Sequence, residues 1–228
     1  MLSCGQLEAI REFDTCTIAN AIEQFGLRLR SEGFTRPGLR CVTSDDARVL
    51  GYAVTSRIKS TDPPVMGGRF YDRTDWWEAI SRVPAPRIAV IQDQDHEPGR
   101  GACCGEVHAA ILKALRCEGL ITNGSVRDLP AVRRLGFPMF AASVAVSHAY
   151  MHILDYGEPV EVFGLRVSTG DLLYADCHGA VSIPHDIAAL LPEAAKRIRD
   201  RDQRIVEVCR SAEFSTERLL NVVRREES

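Results

Sequence analysis

Two short segments of the chain carry residue types that can do chemistry. The first is Gly105-Glu106-Val107-His108, which opens an amphipathic stretch; the second is Arg127-Asp128, which follows Asn123-Gly124-Ser125-Val126. Backbone N–H groups at a helix start, reinforced by the helix dipole, hold carboxylates and phosphates, and glycine lets the backbone come close to the anion. Arginine offers a planar, permanently charged fork suited to a carboxylate or a developing enolate. Aspartate is a hard oxygen ligand for Mg²⁺ or Mn²⁺. Groups of this kind suit a reaction that builds negative charge on an oxygen beside an anchored carboxylate.

Each feature also has a plainer reading. The loop Gly99-Arg-Gly-Ala-Cys-Cys-Gly105 can be a structural turn, an anion site or a nucleotide-binding loop. Its spacing is GxGxxxG, and Asn123 stands where the acid that holds a ribose is expected, which disfavours the nucleotide. Arg127 can be a surface residue and Asp128 a helix N-cap. His148 and His152 have i, i+4 spacing but no third ligand nearby, so structural histidines are expected. Cys103 lies near a helix start, where a thiol pKa falls, without a histidine partner close in sequence. Trp76 and Trp77 suit a pocket wall, a subunit interface or the core.

These segments need elements to position them. Pro86 to Gln92 is a short apolar run of the kind that forms a buried strand, and Asp93 to Cys104 reads as the loop after it. Gly105 to Cys117, with apolar residues at 107, 110, 111, 114 and 115, predicts an amphipathic helix. Gly119 to Asn123 predicts a second buried strand, residues 124–126 a turn, Asp128 to Leu135 a short capped helix, and Phe137 to Ala145 a third strand. Strand, helix, strand, helix, strand implies a parallel sheet, and ligands gather at the carboxyl edge of such sheets.

Upstream, residues 6–27 predict helix, with Asp14-Thr15 as a break or a restarting cap. Arg28 to Arg40 reads as loop, Ala47 to Arg57 as strand, Ser60 to Gly68 as extended loop and Asp72 to Val83 as a short helix. Downstream, Pro159 to Phe163, Arg166 to Ser168, Leu172 to Asp176 and Ala180 to Ile183 predict antiparallel hairpins. Pro184 opens a long C-terminal helix, charged from Glu193 to Arg210. Without repeat or linker, residues 1–228 read as a single α/β domain.

Composition narrows the class. With 228 residues, 45% hydrophobic and 26% charged, the chain can bury a core without disulfides or a structural metal. A net charge of −3 supplies no field to gather nucleic acid. No apolar run approaches the ~20 residues of a membrane span. The N-terminus lacks the apolar core of a secretory signal, so a cytoplasmic protein is expected. Eight cysteines without CxxC spacing then read as reduced thiols.

Gly105-Glu106, Gly119-Leu-Ile-Thr-Asn-Gly-Ser-Val-Arg-Asp128 and Leu135-Gly-Phe-Pro138 resemble the signature of the 4-hydroxy-4-methyl-2-oxoglutarate aldolase family. That RraA-like family includes the regulator of ribonuclease activity A and proteins once labelled demethylmenaquinone methyltransferases. The resemblance continues in Gly157 to Val160, Gly164 to Val167, Thr169-Gly-Asp171, Asp176-Cys-His-Gly179 and Ile183-Pro184, and begins at Asp14-Thr15 through Ala21. It implies a swivelling β/β/α domain that assembles as a homotrimer or homohexamer with sites between subunits. It also implies that Gly105, Glu106, Val107 and His108 bind a pyruvyl carboxylate through their amides. Arg127 would contact the substrate oxygens, Asp128 would bind Mg²⁺ or Mn²⁺, and Glu106 would hold a water on the metal.

The implied activity is metal-dependent (class II) retro-aldol cleavage of a 4-hydroxy-2-oxo acid, such as 4-hydroxy-4-methyl-2-oxoglutarate, to pyruvate. Oxaloacetate decarboxylation accompanies it. Both pass through pyruvate enolate, whose charge a divalent metal and a fixed guanidinium can stabilise without a Schiff-base lysine. Lys113 falls inside the predicted helix, away from its start. Arg127 and Glu106 are thus the expected catalytic residues. Asn123, Asn20 and His178 stand where the family has acids, and the loop carries Cys103-Cys104. A helper acid from a neighbouring subunit is expected among Glu193, Asp200, Asp202 and Glu207. The alternative is a non-catalytic regulator that binds a ribonuclease; the retention of Arg127, Asp128 and Glu106 speaks against it.

Overall fold

The structure is a computed structural model in which residues 1–65 and 73–226 are described. The end of the expected extended loop (Met66 to Gly68) and Asp72, the expected first residue of the next helix, lie outside the described residues.

Helix α1 (Cys4–Arg11) begins with a capping box in which the Ser3 hydroxyl accepts from the Gln6 N–H and the Gln6 side chain accepts from the Ser3 N–H. Helix α2 (Thr15–Glu23) restarts at Asp14, whose Oδ1 accepts from the Thr17 N–H at 2.7 Å. The cap read from the sequence therefore splits the first helical region. There follow β1 (Arg40–Cys41), β2 (Val49–Lys59), α3 (Arg73–Arg82) and β3 (Arg87–Asp93). The middle section continues as β4 (Ala102–Cys104), α4 (Glu106–Ala114), β5 (Cys117–Thr122), β6 (Ser125–Val126), α5 (Leu129–Leu135), β7 (Met139–Ala141) and β8 (Ser143–Val144). Strand β9 (His152–Tyr156) precedes the hairpins β10 (Val160–Val162) with β11 (Leu165–Val167) and β12 (Leu172–Asp176) with β13 (Gly179–Ile183). Helices α6 (His185–Ala188), α7 (Leu191–Arg210) and α8 (Thr216–Glu226) complete the chain.

The elements form two compact units, Arg28–His185 and a helical unit of Met1–Leu27 with Asp186–Ser228. In the first, the main sheet has the order β1-β7-β5-β3-β2-β12-β13, with β9 also paired to β2. The pairs β2–β3, β3–β5 and β5–β7 are parallel, as the alternation of strands and helices predicts. Strand β3 sends Ile88 and Val90 into one apolar core and Ala89 and Ile91 into the other. Both faces are covered, which is why its sequence is an unbroken apolar run. The fold is thus α/β, with a central parallel section, antiparallel hairpins and a long C-terminal helix.

A second, smaller sheet is stacked onto the ends of the parallel strands. Strands β4, β6 and β8 pair in that order, all parallel, and each continues the chain from β3, β5 or β7. Residues 124–126, expected as a turn, therefore contain β6; the expected strand from Phe137 to Ala145 is broken into β7 and β8; and the loop after β3 contains β4. Two- and three-residue strands have no periodicity to read; their ladder exists only once the larger strands align.

In the helical unit, α2 packs against α7, which buries Leu191, Ala194, Ala195 and Ile198 at helical spacing. The Arg199 guanidinium lies 4.5 Å from the centre of the Phe13 ring. Pro184 precedes only the one-turn α6; the long helix starts at Leu191, with Pro192 in its first turn.

Candidate active site

The small sheet brings the two predicted segments side by side. The Arg127 N–H donates to the Cys104 carbonyl at 2.9 Å, in the β4–β6 ladder, so Gly105 and Arg127 leave that sheet as neighbours. The site therefore sits at the carboxyl edge of β4 and β6, one short sheet beyond the edge of β3 and β5 that the sequence indicated.

Gly105 occupies the N-cap of α4 and has no side chain to cap it. Asp128 supplies the missing acceptor. Its Oδ2 takes the Glu106 N–H at 3.1 Å and lies 3.5 Å from Arg127 Nε. Asp128 holds a left-handed conformation (φ 58°, ψ 32°) and does not cap its own helix with its side chain. Among non-glycine residues, Asp and Asn adopt that region most readily, and such conformations concentrate at functional sites. A Cβ on Gly105 would stand 2.3 Å from Asp128 Oδ2, so the close approach requires glycine.

Gly105, Val107, His108, Arg127 and Asp128 line one cavity of about 140 Å³. The Glu106 side chain is exposed to solvent and is not part of that lining; its backbone enters through the bond to Asp128. Arg127 and Asp128 are partly open, with side-chain exposures of 35% and 41%. The rest of the wall, which motif reading did not assign, is Ala102, Cys103, Ile111, His148 and Met151, with Trp77. Of the two tryptophans, Trp76 is core and Trp77 is pocket wall, which realises both readings of the pair.

His108 is turned into this wall. Its Nδ1 is 3.2 Å from the Cys103 carbonyl, and its Nε2 accepts from Trp77 Nε1 at 3.3 Å. A carbonyl can only accept and an indole N–H can only donate, so the ring carries its proton on Nδ1. Trp76 meets the same imidazole edge-on at 5.5 Å. The buried Cys103 thus contributes a carbonyl here.

The glycine-rich loop is largely occupied by its own architecture. The Asp93 carboxylate is buried and accepts from the Gly99 N–H at 2.8 Å and the Asp95 N–H at 3.0 Å. Burial pushes its pKa up against those bonds. Asp95 accepts from the Ser60 N–H and hydroxyl and from the Thr61 N–H. Burial pushes Asp95 up, but these bonds together outweigh it and hold the carboxyl below its usual range. At Gly101 a Cβ would meet the His148 carbonyl at 2.4 Å. Asn123 is structural: its Oδ1 accepts from the Asp93 N–H at 2.7 Å and its Nδ2 donates to the Asp93 carbonyl at 2.9 Å, tying the ends of β3 and β5.

Of the other candidates, His148 is part of the cavity wall and the rest are not. His148 and His152 belong to no common helix, and each Nδ1 meets a nearby carbonyl, of Ala149 and Tyr150 respectively. Asp176, Cys177 and His178, in the β12–β13 turn, are the one group of three metal-type donors among the described residues. Strand β12 runs antiparallel to β2, pairing Ala175 with Val49, so that turn lies beyond the amino end of β2, at the opposite edge of the sheet. On α7, Glu193, Asp200 and Asp202 pair with Arg197, Lys196 and Arg201. Among the described residues no helix is long and apolar enough to cross a membrane.

Comparison with known proteins shows the family of the chain. A protein of Methanocaldococcus jannaschii without assigned function is 22% identical over 193 residues, covering 82% of this chain and 86% of its own length. A putative 4-hydroxy-4-methyl-2-oxoglutarate aldolase of Halalkalibacterium halodurans is 25% identical over 161 residues, 70% of this chain and 71% of that protein. The crystal structure of Streptomyces coelicolor RraAS2, described as an unusual member of the RNase ES inhibitor RraA protein family, superposes with a TM-score of 0.69. It is 20% identical and covers 89% of this chain and 96% of its own. The sequence model of the RraA-like (Aldolase/RraA) family matches residues 15–182, a span that contains both halves of the cavity's polar wall, and the chain belongs to that family.

Proposed function

We propose that the chain is a divalent-metal-dependent lyase that cleaves a 4-hydroxy-2-oxo acid to pyruvate by a retro-aldol reaction and also decarboxylates oxaloacetate. The observation that carries this reading is the meeting of Asp128, Arg127 and the start of α4 at one cavity. The aldolase-named relative supports it.

The residues present fit a hard divalent cation. Asp128 offers a half-open carboxylate with one oxygen engaged by a backbone N–H, and Mg²⁺ commonly takes one or two carboxylates and completes its shell with water and substrate oxygens. Asp128 would hold the ion, which supplies Lewis-acid polarisation of the 2-oxo group when bound. Because Asp128 already occupies the Glu106 amide, the remaining first-turn amides, Val107 foremost, receive the substrate carboxylate. The Arg127 guanidinium lies beside the C2 oxygen and stabilises its charge as the C3–C4 bond breaks and the electron pair passes to C3. The C4 hydroxyl must lose its proton and C3 must gain one; water entering the open cavity carries these protons, since the Glu106 carboxylate lies outside the lining. By the same reading the protein works as a homo-oligomer.

The test is a coupled pyruvate assay on oxaloacetate and 4-hydroxy-2-oxo acids with Mg²⁺ or Mn²⁺. Arg127→Ala and Asp128→Ala should each lower kcat/KM by about 10²–10³, the usual effect of losing a transition-state charge partner. Calorimetry should show Mn²⁺ binding lost in Asp128→Ala. Absence of metal-stimulated pyruvate, or undiminished turnover in both variants, refutes the proposal.

A further inference from the structure

The turn between β12 and β13, which the lyase reading leaves unused, gathers three different kinds of metal-binding side chain. Asp176 pairs with Gly179 across the hairpin, so Cys177 and His178 alone make the turn. Thr35 fixes it from behind. The Thr35 N–H donates to the Ala180 carbonyl at 2.9 Å, and the Ala180 N–H donates to Thr35 Oγ1 at 3.0 Å. Gly179 has φ 128°, and a Cβ there would stand 2.6 Å from Thr35 Oγ1, so the turn needs glycine. The Asp176 side chain is only 4% exposed, and its Oδ1 accepts from the His178 N–H at 2.9 Å. Cys177 is exposed and the His178 side chain is half-exposed. One donor is thus buried and held, and two reach solvent.

The spacing of these donors suits a tetrahedral ion. His178 Nδ1 lies 3.1 Å from Asp176 Oδ1 and 3.5 Å from Cys177 Sγ, and one ligand atom of each residue lies within 4.8 Å of the others. Around Zn²⁺, with Zn–S about 2.3 Å and Zn–N and Zn–O about 2.1 Å, tetrahedral ligand atoms stand roughly 3.4–3.6 Å apart. We infer that Asp176, Cys177 and His178 hold a thiophilic divalent transition-metal ion of the Zn²⁺ class, with the remaining coordination position open to solvent. Binding displaces the proton of the Cys177 thiol and leaves the His178 Nδ1 lone pair to the metal. Thiolate and imidazole favour Zn²⁺ or Co²⁺ over Mg²⁺, so this site differs in chemistry, as well as in place, from the cavity beside Asp128. It stands whether or not the protein is a lyase.

The test uses the intact protein stripped of metal. With Zn²⁺ at about ten times its dissociation constant, alkylation of Cys177 should slow about 10-fold, as read by peptide mass spectrometry. The other exposed thiols, Cys4, Cys16 and Cys209, should react at unchanged rates and serve as internal controls. Co²⁺ should give a thiolate-to-metal charge-transfer band that is absent in Cys177→Ser, kept in Asp128→Ala and unaffected by excess Mg²⁺. His178→Ala and Asp176→Asn should each weaken Co²⁺ binding at least about 10-fold, the scale on which even outer-shell partners act. Asp176→Asn retains the oxygen that accepts from the His178 N–H, so its loss of affinity reports the ligand rather than the turn. No protection of Cys177, equal protection of all four thiols, a band that survives Cys177→Ser or vanishes in Asp128→Ala, or unchanged affinity in either ligand variant overturns the inference.

Discussion

The most discriminating single perturbation is Gly105→Ala. The backbone there is extended (φ −131°, ψ −164°), a region open to any residue, so alanine brings no torsional strain. Its cost is contact. The new methyl would lie 2.3 Å from Asp128 Oδ2 and 3.1 Å from Arg127 Nε, whereas ordinary contact begins at 3.4 Å. Relief requires the Asp128 carboxylate to retreat by about 1 Å, which breaks its bond with the Glu106 N–H. The lost hydrogen bond costs about 1 kcal/mol and the poorer N-cap some tenths more. With a Tm change of roughly 2–4 °C per kcal/mol at this size, melting should fall by only a few degrees. Activity should suffer much more, because a misplacement of about 1 Å at a reacting centre can cost about 100-fold. The measurement is kcat/KM for metal-dependent pyruvate formation well below Tm, with a melt recorded on the same sample. Activity within about 3-fold of wild type would show that Asp128 and Arg127 need not sit where they do, and the argument for the site would fail. A loss explained wholly by unfolding would fail it equally.

Two further outcomes follow from the surrounding architecture. Asn123→Ala removes both bonds to the Asp93 backbone and should cost about 2 kcal/mol, and Asn123→Asp should cost at least as much because its second oxygen meets the Asp93 carbonyl acceptor to acceptor, as urea melts would check. For the thiols, Cys4, Cys16, Cys177 and Cys209 are exposed and should react quickly with a thiol reagent at about pH 8. Buried Cys117, whose pKa is pushed up to about 12 by desolvation, should react only in denaturant; fast modification of it in the native protein would contradict its placement.

Much of the fold is legible because its signals are local. Ile88 to Ile91 must be a two-sided buried strand, since four consecutive apolar β-formers leave no polar face. Asp14 restarts a helix because its side chain caps its own neighbour three residues on. The Gly-containing turns at 164, 170 and 178–179 delimit strands that alternate over short spans. Gly105 and Arg127-Asp128 are legible as candidates for the same reason, each being a turn at a helix start.

What sequence alone left open is how those candidates are used. Glu106 and Asp128 are 22 positions apart, and their hydrogen bond exists only because the two short strands β4 and β6 align through the main sheet. The same alignment leaves the Glu106 side chain outside the cavity while its amide holds Asp128. The resemblance gives His108 a role through its amide alone, and its side chain finds partners in Trp77, on a helix 31 positions earlier, and a carbonyl on β4. Strand β9 likewise owes its form to β2, to which it is tied by the Arg57–Asp155 ion pair. The sequence by itself determined which residues could anchor an anion and hold a cation. Only the tertiary structure decided that they share a cavity, because these contacts join segments with no local relation to one another.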